Sequence, residues 1–405
     1  MSEWKEFRLS DVALKFAMGP FGSNIKAENF TNQGVPVIRG TNLNYYRYVD
    51  GEFVYLTDEK ANQLKSSNCF PGDIVITHRG TLGQVGLIPY GKFDRYVISQ
   101  SGMKVTVNPN FLDSNFLLYF FKSNIGQHEL LQHESQVGVP SISNPLTSLK
   151  SVSLKLPPIE EQKTIASVLS SLDDKIDLLH RQNKTLESMA ETLFRQWFVE
   201  EAGEDWEEVK LSDVCLVITK GTTPTTLGHQ FVETGINFVK AESITDSGDF
   251  ILKKFAHISE ETHLFLRRSI IESGDVLCSI AGTIGRTAIV DDSILPANTN
   301  QAIAILRVDY KKCLPEFVYL FLKSTAFREI MDGKVVHAVQ PNLSLGEIGS
   351  TTFLSPPKDL MCKFEVTIHP IFEKKKNNSR QIHTLETLRD TLLPKLMSGE
   401  VRVAV

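Results

Sequence analysis

The chain has 405 residues, 41% of them hydrophobic and 22% charged, and carries a formal net charge of −5. That length leaves room for about two to four domains with their own cores, which excludes a disordered class, and the acidic balance excludes nucleic-acid binding through bulk positive charge. No apolar run reaches about 18 residues, the start Met1-Ser2-Glu3-Trp4-Lys5 lacks a signal-peptide order, and five scattered cysteines never form C-x-x-C, so we expect a cytoplasmic chain with reduced thiols, no metal and no membrane.

The first globular segment, residues 1–155, reads as short strands between glycines and prolines. Examples are Val35-Pro36-Val37-Ile38, Ile74-Val75-Ile76 and Met103-Lys104-Val105-Thr106-Val107, β-branched runs of the length strands adopt. Phe116 to Ser123 reads as a helix, so the segment is mixed α/β with a strand-rich core. Leu156-Pro157-Pro158 then closes the extended region and suits a helix start, with Glu160 and Glu161 complementing the helix dipole.

Residues 156–200 form the first helical segment. Ile165, Leu172, Leu179, Leu186 and Leu193 recur every seven residues, and Leu169, Ile176, Asn183, Ala190 and Trp197 lie four residues after each, which predicts a coiled-coil seam. At 1.5 Å per residue this rod would span on the order of 50 Å.

Residues 201–354 then repeat the first segment. Trp4-Lys5-Glu6-Phe7-Arg8-Leu9-Ser10-Asp11-Val12 returns as Trp206-Glu207-Glu208-Val209-Lys210-Leu211-Ser212-Asp213-Val214, and Gly72-Asp73 through Gly80-Thr81-Leu82-Gly83 returns as Gly274-Asp275 through Gly282-Thr283-Ile284-Gly285. Ser355-Pro356-Pro357 opens a second helical segment, 355–405, whose seam is interrupted by Lys375, Asn378 and Arg389. Pairing positions whose numbers sum to 561, as 183 and 378 do, would set Asn183 against Asn378, Ile176 against Leu385 and Leu169 against Leu392 in an antiparallel coiled coil. A buried Asn pair fixes register at a cost in stability; the other reading is two solvated residues at a frayed seam. The expected fold is therefore α+β: two strand-rich units separated by two long helices, with a pseudo-two-fold internal repeat.

Catalytic motifs are absent from this reading. Leu156-Pro157-Pro158-Ile159 lacks the Asn/Asp and the aromatic ring with which a methyltransferase loop holds a flipped base. His128 and His133 are five residues apart, about 140° around a helix, and cannot share a metal as an i, i+4 pair does. Walker A, dinucleotide-binding and nucleophile-elbow patterns are also missing.

The polar loops are more informative. Asn24 and Lys26 follow Gly19-Pro20-Phe21-Gly22, and His78, Arg79 and Thr81 sit in Thr77-His78-Arg79-Gly80-Thr81. Their counterparts are Lys220 and Thr222 beside Gly221, and Thr283 and Arg286 in the copy beginning Ser279-Ile280-Ala281. Glycines allow close approach to phosphate, Arg can read guanine and Asn adenine, so these nine residues are candidate DNA contacts; alternatively the glycines serve hairpin turns. Framework positions repeat while loop side chains differ, as two readers of two sequences would require.

Pro157-Pro158-Ile159-Glu160-Glu161-Gln162 before the long helix, and Leu392-Leu393-Pro394-Lys395-Leu396-Met397-Ser398-Gly399-Glu400 near the end, resemble the specificity subunits of Type I restriction-modification systems. The resemblance covers essentially the whole chain, although Lys358-Asp359-Leu360-Met361 departs from the pattern in the second copy. It implies a non-catalytic subunit with two target-recognition domains, each reading half of a bipartite double-stranded DNA target. It further implies helices that set the spacer and recruit two adenine-N6 methyltransferase subunits. S-adenosylmethionine, ATP and Mg would belong to those and to the restriction subunits, with no cofactor in this chain. On the residues alone two other classes stay open, a self-sufficient DNA methyltransferase or nuclease and a protein-binding scaffold.

Overall fold

In the computed structural model the described residues are 4–22, 24–43, 47–135, 138–329 and 343–403. The chain forms two compact units, residues 1–177 with 384–405, and residues 178–383. Each unit thus owns one globular segment and a stretch of both long helices.

In the first unit the strand runs expected from β-branched patterning build two four-stranded sheets. One is antiparallel throughout, ordered Ala13–Met18, Gly102–Val107, Ile74–Thr77, Val85–Leu87. The other is ordered Val54–Leu56, Val35–Ile38, Tyr96–Ile98, Asn68–Cys69, and its central pair is parallel. The helix Ser114–Lys122 buries Phe116 through Phe121 and is capped by Asp113, whose side chain accepts from the Phe116 amide. Lys5–Arg8 pairs with Ser153–Leu156, tying the start of the globular segment to the strand that ends at the double proline.

The second unit repeats this topology strand for strand. Its antiparallel sheet is Cys215–Lys220, Ile303–Val308, Val276–Ser279, Thr287–Ile289, and its mixed sheet is Ala256–Ile258, Ile236–Val239, Ala297–Thr299, Ile270–Ile271. Even the register shift in the first strand recurs, between Ala13 and Lys15 and between Cys215 and Val217. The duplication read from sequence is therefore a duplication of three-dimensional framework.

The two long helices are Ile159–Arg195 and Lys358–Ser398. Both supply core residues to both units: Ile165, Ala166 and Leu169 with Leu393, Leu396 and Met397 in the first, and Ala190 and Phe194 with Phe364 and Ile368 in the second. Within the first unit Glu161 accepts from Arg402 at 2.7 Å and Asp173 from Arg389 at 3.1 Å, so rising numbers meet falling ones and the helices run antiparallel. Within the second unit Glu187 pairs with Lys375, and Asn378 donates to Asn183 Oδ1 at 2.9 Å, the partners that sum to 561.

The buried line of the first helix departs from the heptad seam. Leu172, Leu186 and Leu193 are only half-buried, whereas Asp173, Glu187 and Phe194, one residue on, are buried. A straight helix drifts about 20° per heptad from a strict seven-residue repeat. Because its ends pack on globular cores as well as on the other helix, this helix keeps its natural 3.6 period. Lys375 and Arg389, expected to interrupt the second seam, are instead buried partners of those same carboxylates.

Candidate nucleic-acid interface

In the first unit three loops meet at one end of the sheets. The loop after Ala13–Met18, the loop after Ile74–Thr77 and the turn before Gly102–Val107 are held together by backbone: Gly19 N–H donates to Gly102 O at 2.8 Å, and His78 N–H to Ser101 O at 2.9 Å. Segment 138–142 joins them, with Gly80 N–H donating to Pro140 O at 2.9 Å and Arg79 bridged to Ser141. In the second unit Gly221 N–H donates to Ile303 O at 3.3 Å, Ile280 N–H to Ala302 O at 2.8 Å, and Leu343 N–H to Ile280 O at 2.9 Å. The same three loops and the same clamp occur in both.

One of these loops repeats almost atom for atom. The Thr77 hydroxyl donates to Thr81 O and accepts from the Gln84 amide; the Ser279 hydroxyl donates to Thr283 O and accepts from the Arg286 amide. Gly80 and Gly83 at φ +84° and +73°, and Gly282 and Gly285 at +74° and +90°, supply the left-handed backbone the loop needs. Those glycines therefore serve the turn, and the side chains just before the first of them carry what differs, His78 and Arg79 against Ile280 and Ala281.

Several candidate contacts stand in the open: Asn24, Lys26, Arg79, Thr81 and Thr283 are exposed on these loops, while Ser23 lies outside the described residues. The Asn24 amide closes a turn on Phe21 O at 2.8 Å, and Lys26 is 3.7 Å from Glu28. In the second unit Lys220 and Thr222 are half-buried; Thr222 Oγ1 accepts from Arg268 at 3.1 Å. Arg286 is drawn onto Asp246 at 2.8 Å, so its guanidinium is partly neutralised before any ligand arrives.

His78 differs from expectation. It is 7% exposed, its Nε2 lies 3.2 Å from Gln100 O, and burial pushes its pKa below the ordinary value, against the hydrogen bond to Gln100. The ring lies under the loop against the turn at Gln100 and is almost wholly covered. Two features escaped the sequence reading. Arg268 reaches the Thr222 loop from a separate segment, and Phe21, 80% exposed, tops the first unit's loop. The doubled arginine at 267 and 268 against Lys65-Ser66 in the first copy is the one signal that marked Arg268.

Two strand-rich frameworks of identical topology, each ending in a polar loop cluster and each built onto the same pair of helices, define an internally duplicated binding protein. A family profile described as Type I restriction modification DNA specificity domain matches residues 1–188 and again 203–386. Relatives include the Type I restriction enzyme MjaIX specificity subunit of Methanocaldococcus jannaschii, 27% identical with 99% of this chain and 94% of that protein covered. The HindI specificity subunit of Haemophilus influenzae is 24% identical over 99% of this chain and its own full length. The crystal structure of a Type I restriction-modification S subunit from M. genitalium superposes with a TM-score of 0.57 at 17% identity, covering 97% of this chain and 96% of that one, a likeness of fold.

The chain belongs to the family of Type I restriction-modification DNA specificity subunits. Its function is DNA recognition, and specificity subunits are non-catalytic. Among the described residues no helix is long and apolar enough to cross a membrane.

Proposed function

We propose that each unit reads one half of a bipartite DNA target. The two long helices act as ruler between the half-sites and as docking surface for two methyltransferase subunits, with restriction subunits joining that assembly. The observation that carries this reading is the pair of loop clusters built on one hydrogen-bonded frame with different accessible side chains, Arg79 on one copy and Ala281 on the other. A common frame supplies a common docking geometry, and divergent side chains supply divergent sequence.

In this reading Lys26, Arg79, Lys220 and Arg268 take phosphates or guanine edges, and Asn24, Thr81, Thr222 and Thr283 supply neutral contacts. Arg286 joins them once DNA competes with Asp246. S-adenosylmethionine, ATP and Mg are held by the partner subunits, which also supply basic surface that a chain of net charge −5 lacks. The methyltransferase flips its adenine out of the duplex while this chain holds the flanking sequence.

Exchanging residues 1–155 for another recognition domain, then mapping methylated adenines genome-wide in the assembled complex, tests the division of labour. One half-site is expected to change and the other to persist. A change in both, or in neither, refutes the reading.

A further inference from the structure

Where the loops of each unit converge, both copies carry the same exposed side chain. Gln100 stands between Tyr96–Ile98 and Gly102–Val107, and Gln301 between Ala297–Thr299 and Ile303–Val308. The immediate neighbours have diverged, Ser99 and Ser101 against Asn300 and Ala302, yet the glutamine is common to both. Each turn is pinned just after its glutamine by backbone bonds from two other loops, those of Gly19 and His78 in the first unit and those of Gly221 and Ile280 in the second.

The amide groups lie against their own unit's first loop. A Cβ on Gly22 would come within 2.9 Å of Gln100 Oε1, so glycine there leaves the space into which the amide lies. In the second unit the Thr223 hydroxyl donates to Gln301 Oε1. A surface glutamine ordinarily keeps its rotamer freedom, and ordering it costs up to about 2 kcal/mol unless something offsets it. At Gln301 the Thr223 hydroxyl offsets part of that cost, and at Gln100 the absent side chain of Gly22 leaves room for the amide; the same exposed residue stands at the same place in two loop clusters that otherwise differ.

We propose that Gln100 and Gln301 are equivalent base-reading residues, each presenting its carbonyl and amino groups to an adenine at the same place in its own half-site. The assignment rests on the DNA-reading function proposed above. An uncharged amide is a poor phosphate ligand, whereas its adjacent acceptor and donor match the N6 and N7 edge of adenine. Phosphate contact falls to the basic residues nearby, Lys26 in the first unit and Arg268 in the second. The divergent loops read the remaining bases.

The test uses the full chain assembled with its methyltransferase subunits, with methylated sites mapped for the wild type and for Gln100→Ala, Gln301→Ala and Gln100→Glu. Gln100→Ala relaxes one adenine position in the first unit's half-site, with discrimination there falling between about 5-fold and 150-fold, and leaves the other half-site intact. Gln301→Ala does the mirror image. Gln100→Glu moves the preference at that position toward cytosine, whose N4 amino group suits an acceptor.

A uniform loss of methylation with both motifs unchanged would make the glutamines supports of the loops and overturn the proposal, as would relaxation at a base other than adenine. Should a variant complex methylate nothing, competition binding with duplexes substituted at each half-site position decides on the same criteria. A wild-type complex that methylates without sequence preference would instead overturn the DNA-reading function itself.

Discussion

Each unit contains a buried polar node where its globular helix meets the two long helices, and the two nodes solve one problem with different charges. In the first, Tyr119 donates to Asp173 at 2.6 Å, and Arg389 approaches the same carboxylate at 3.1 Å. In the second, Tyr319 donates to Glu187 at 2.6 Å, and two lysines, Lys323 and Lys375, share it. The tyrosines stand one position apart in the repeat, Tyr119 matching Leu320 and Tyr319 matching Leu118, and the charges differ as well. Both carboxylates lie on the first long helix, and Arg389 and Lys375 both lie on the second. Charge at the nodes distinguishes one helix from the other, so a duplicated chain keeps its two halves from being interchangeable where they pack.

Breaking the second node should have the largest effect. Glu187→Gln keeps a partner for the Tyr319 hydroxyl but leaves the charges of Lys323 and Lys375 in a buried site, where Lys323 retains Glu191 at 3.0 Å and Lys375 retains the Ser247 carbonyl at 2.6 Å. A loss of about 3–5 kcal/mol is expected, as for removal of one partner from a buried pair. Trp197 and Trp206 pack on the core of this unit, so their fluorescence during denaturant unfolding measures it.

Arg389→Met should cost less, about 1.5–3 kcal/mol, the range for a hydrogen bond to a charged group. Asp173 keeps the Tyr119 hydroxyl and can take up a proton. Trp4 packs on the core of the first unit and reports this variant.

Acid should separate the nodes further. Burial alone would raise the Glu187 pKa, but Lys375 and then Lys323 hold it below the ordinary 4.5. Its contribution is therefore complete above the unfolded value and is lost as pH falls through the lower folded one. At Asp173 burial prevails over Tyr119 and Arg389 and raises the carboxyl above 3.8. Folding then disfavours its ionised form at neutral pH, and that cost disappears as pH falls through the raised value. Acidification should first relieve the first unit and only at lower pH weaken the second, with Glu187→Gln abolishing the later step. Tryptophan-resolved unfolding across pH 3 to 7, marking ordinary carboxylate titration and its neutral end, checks the order.

The smallest change in stability is expected from Asn183→Leu with Asn378→Leu. Asn378 Oδ1 is buried without a partner, so replacing the pair by apolar residues should shift stability by no more than about 1 kcal/mol in either direction. Register is the informative readout. Cysteines at facing helix positions should crosslink in one register in the parent and in several in the double variant; a single register in both would remove the Asn pair as its determinant.

Much of this architecture was legible in the sequence. Trp206 to Val214 echoes Trp4 to Val12, the double prolines mark the helix starts, and the leucine spacing gives the helices. Local periodicity carries that information. The nodes were hidden because a charged residue beside a hydrophobic seam reads as solvated until its partner is known, and Asp173 and Arg389 are 216 positions apart. The parallel pairing of Val37 with Val97 is non-local in the same way. At the loops, glycine positions were readable because positive φ selects glycine. His78 was not, since a polar residue in a loop gives no sign that backbone from a distant turn covers it. Gln100 and Gln301 became visible only when the structure aligned two turns whose neighbouring residues had changed.

The first unit is completed by residues made after the whole of the second. Leu393, Leu396 and Met397 belong to its core, Arg402 stacks over Trp4 and pairs with Glu161, and a Cβ on Gly399 would meet the Trp4 ring at 3.4 Å. On the ribosome, residues 1–177 emerge while 384–403 are still unmade, so this core waits with an open seam as the second half is synthesised. An interrupted translation product would carry an exposed apolar groove instead of a finished head, a state that chaperones and proteases can recognise. Quality control is in this sense written into the order of the chain.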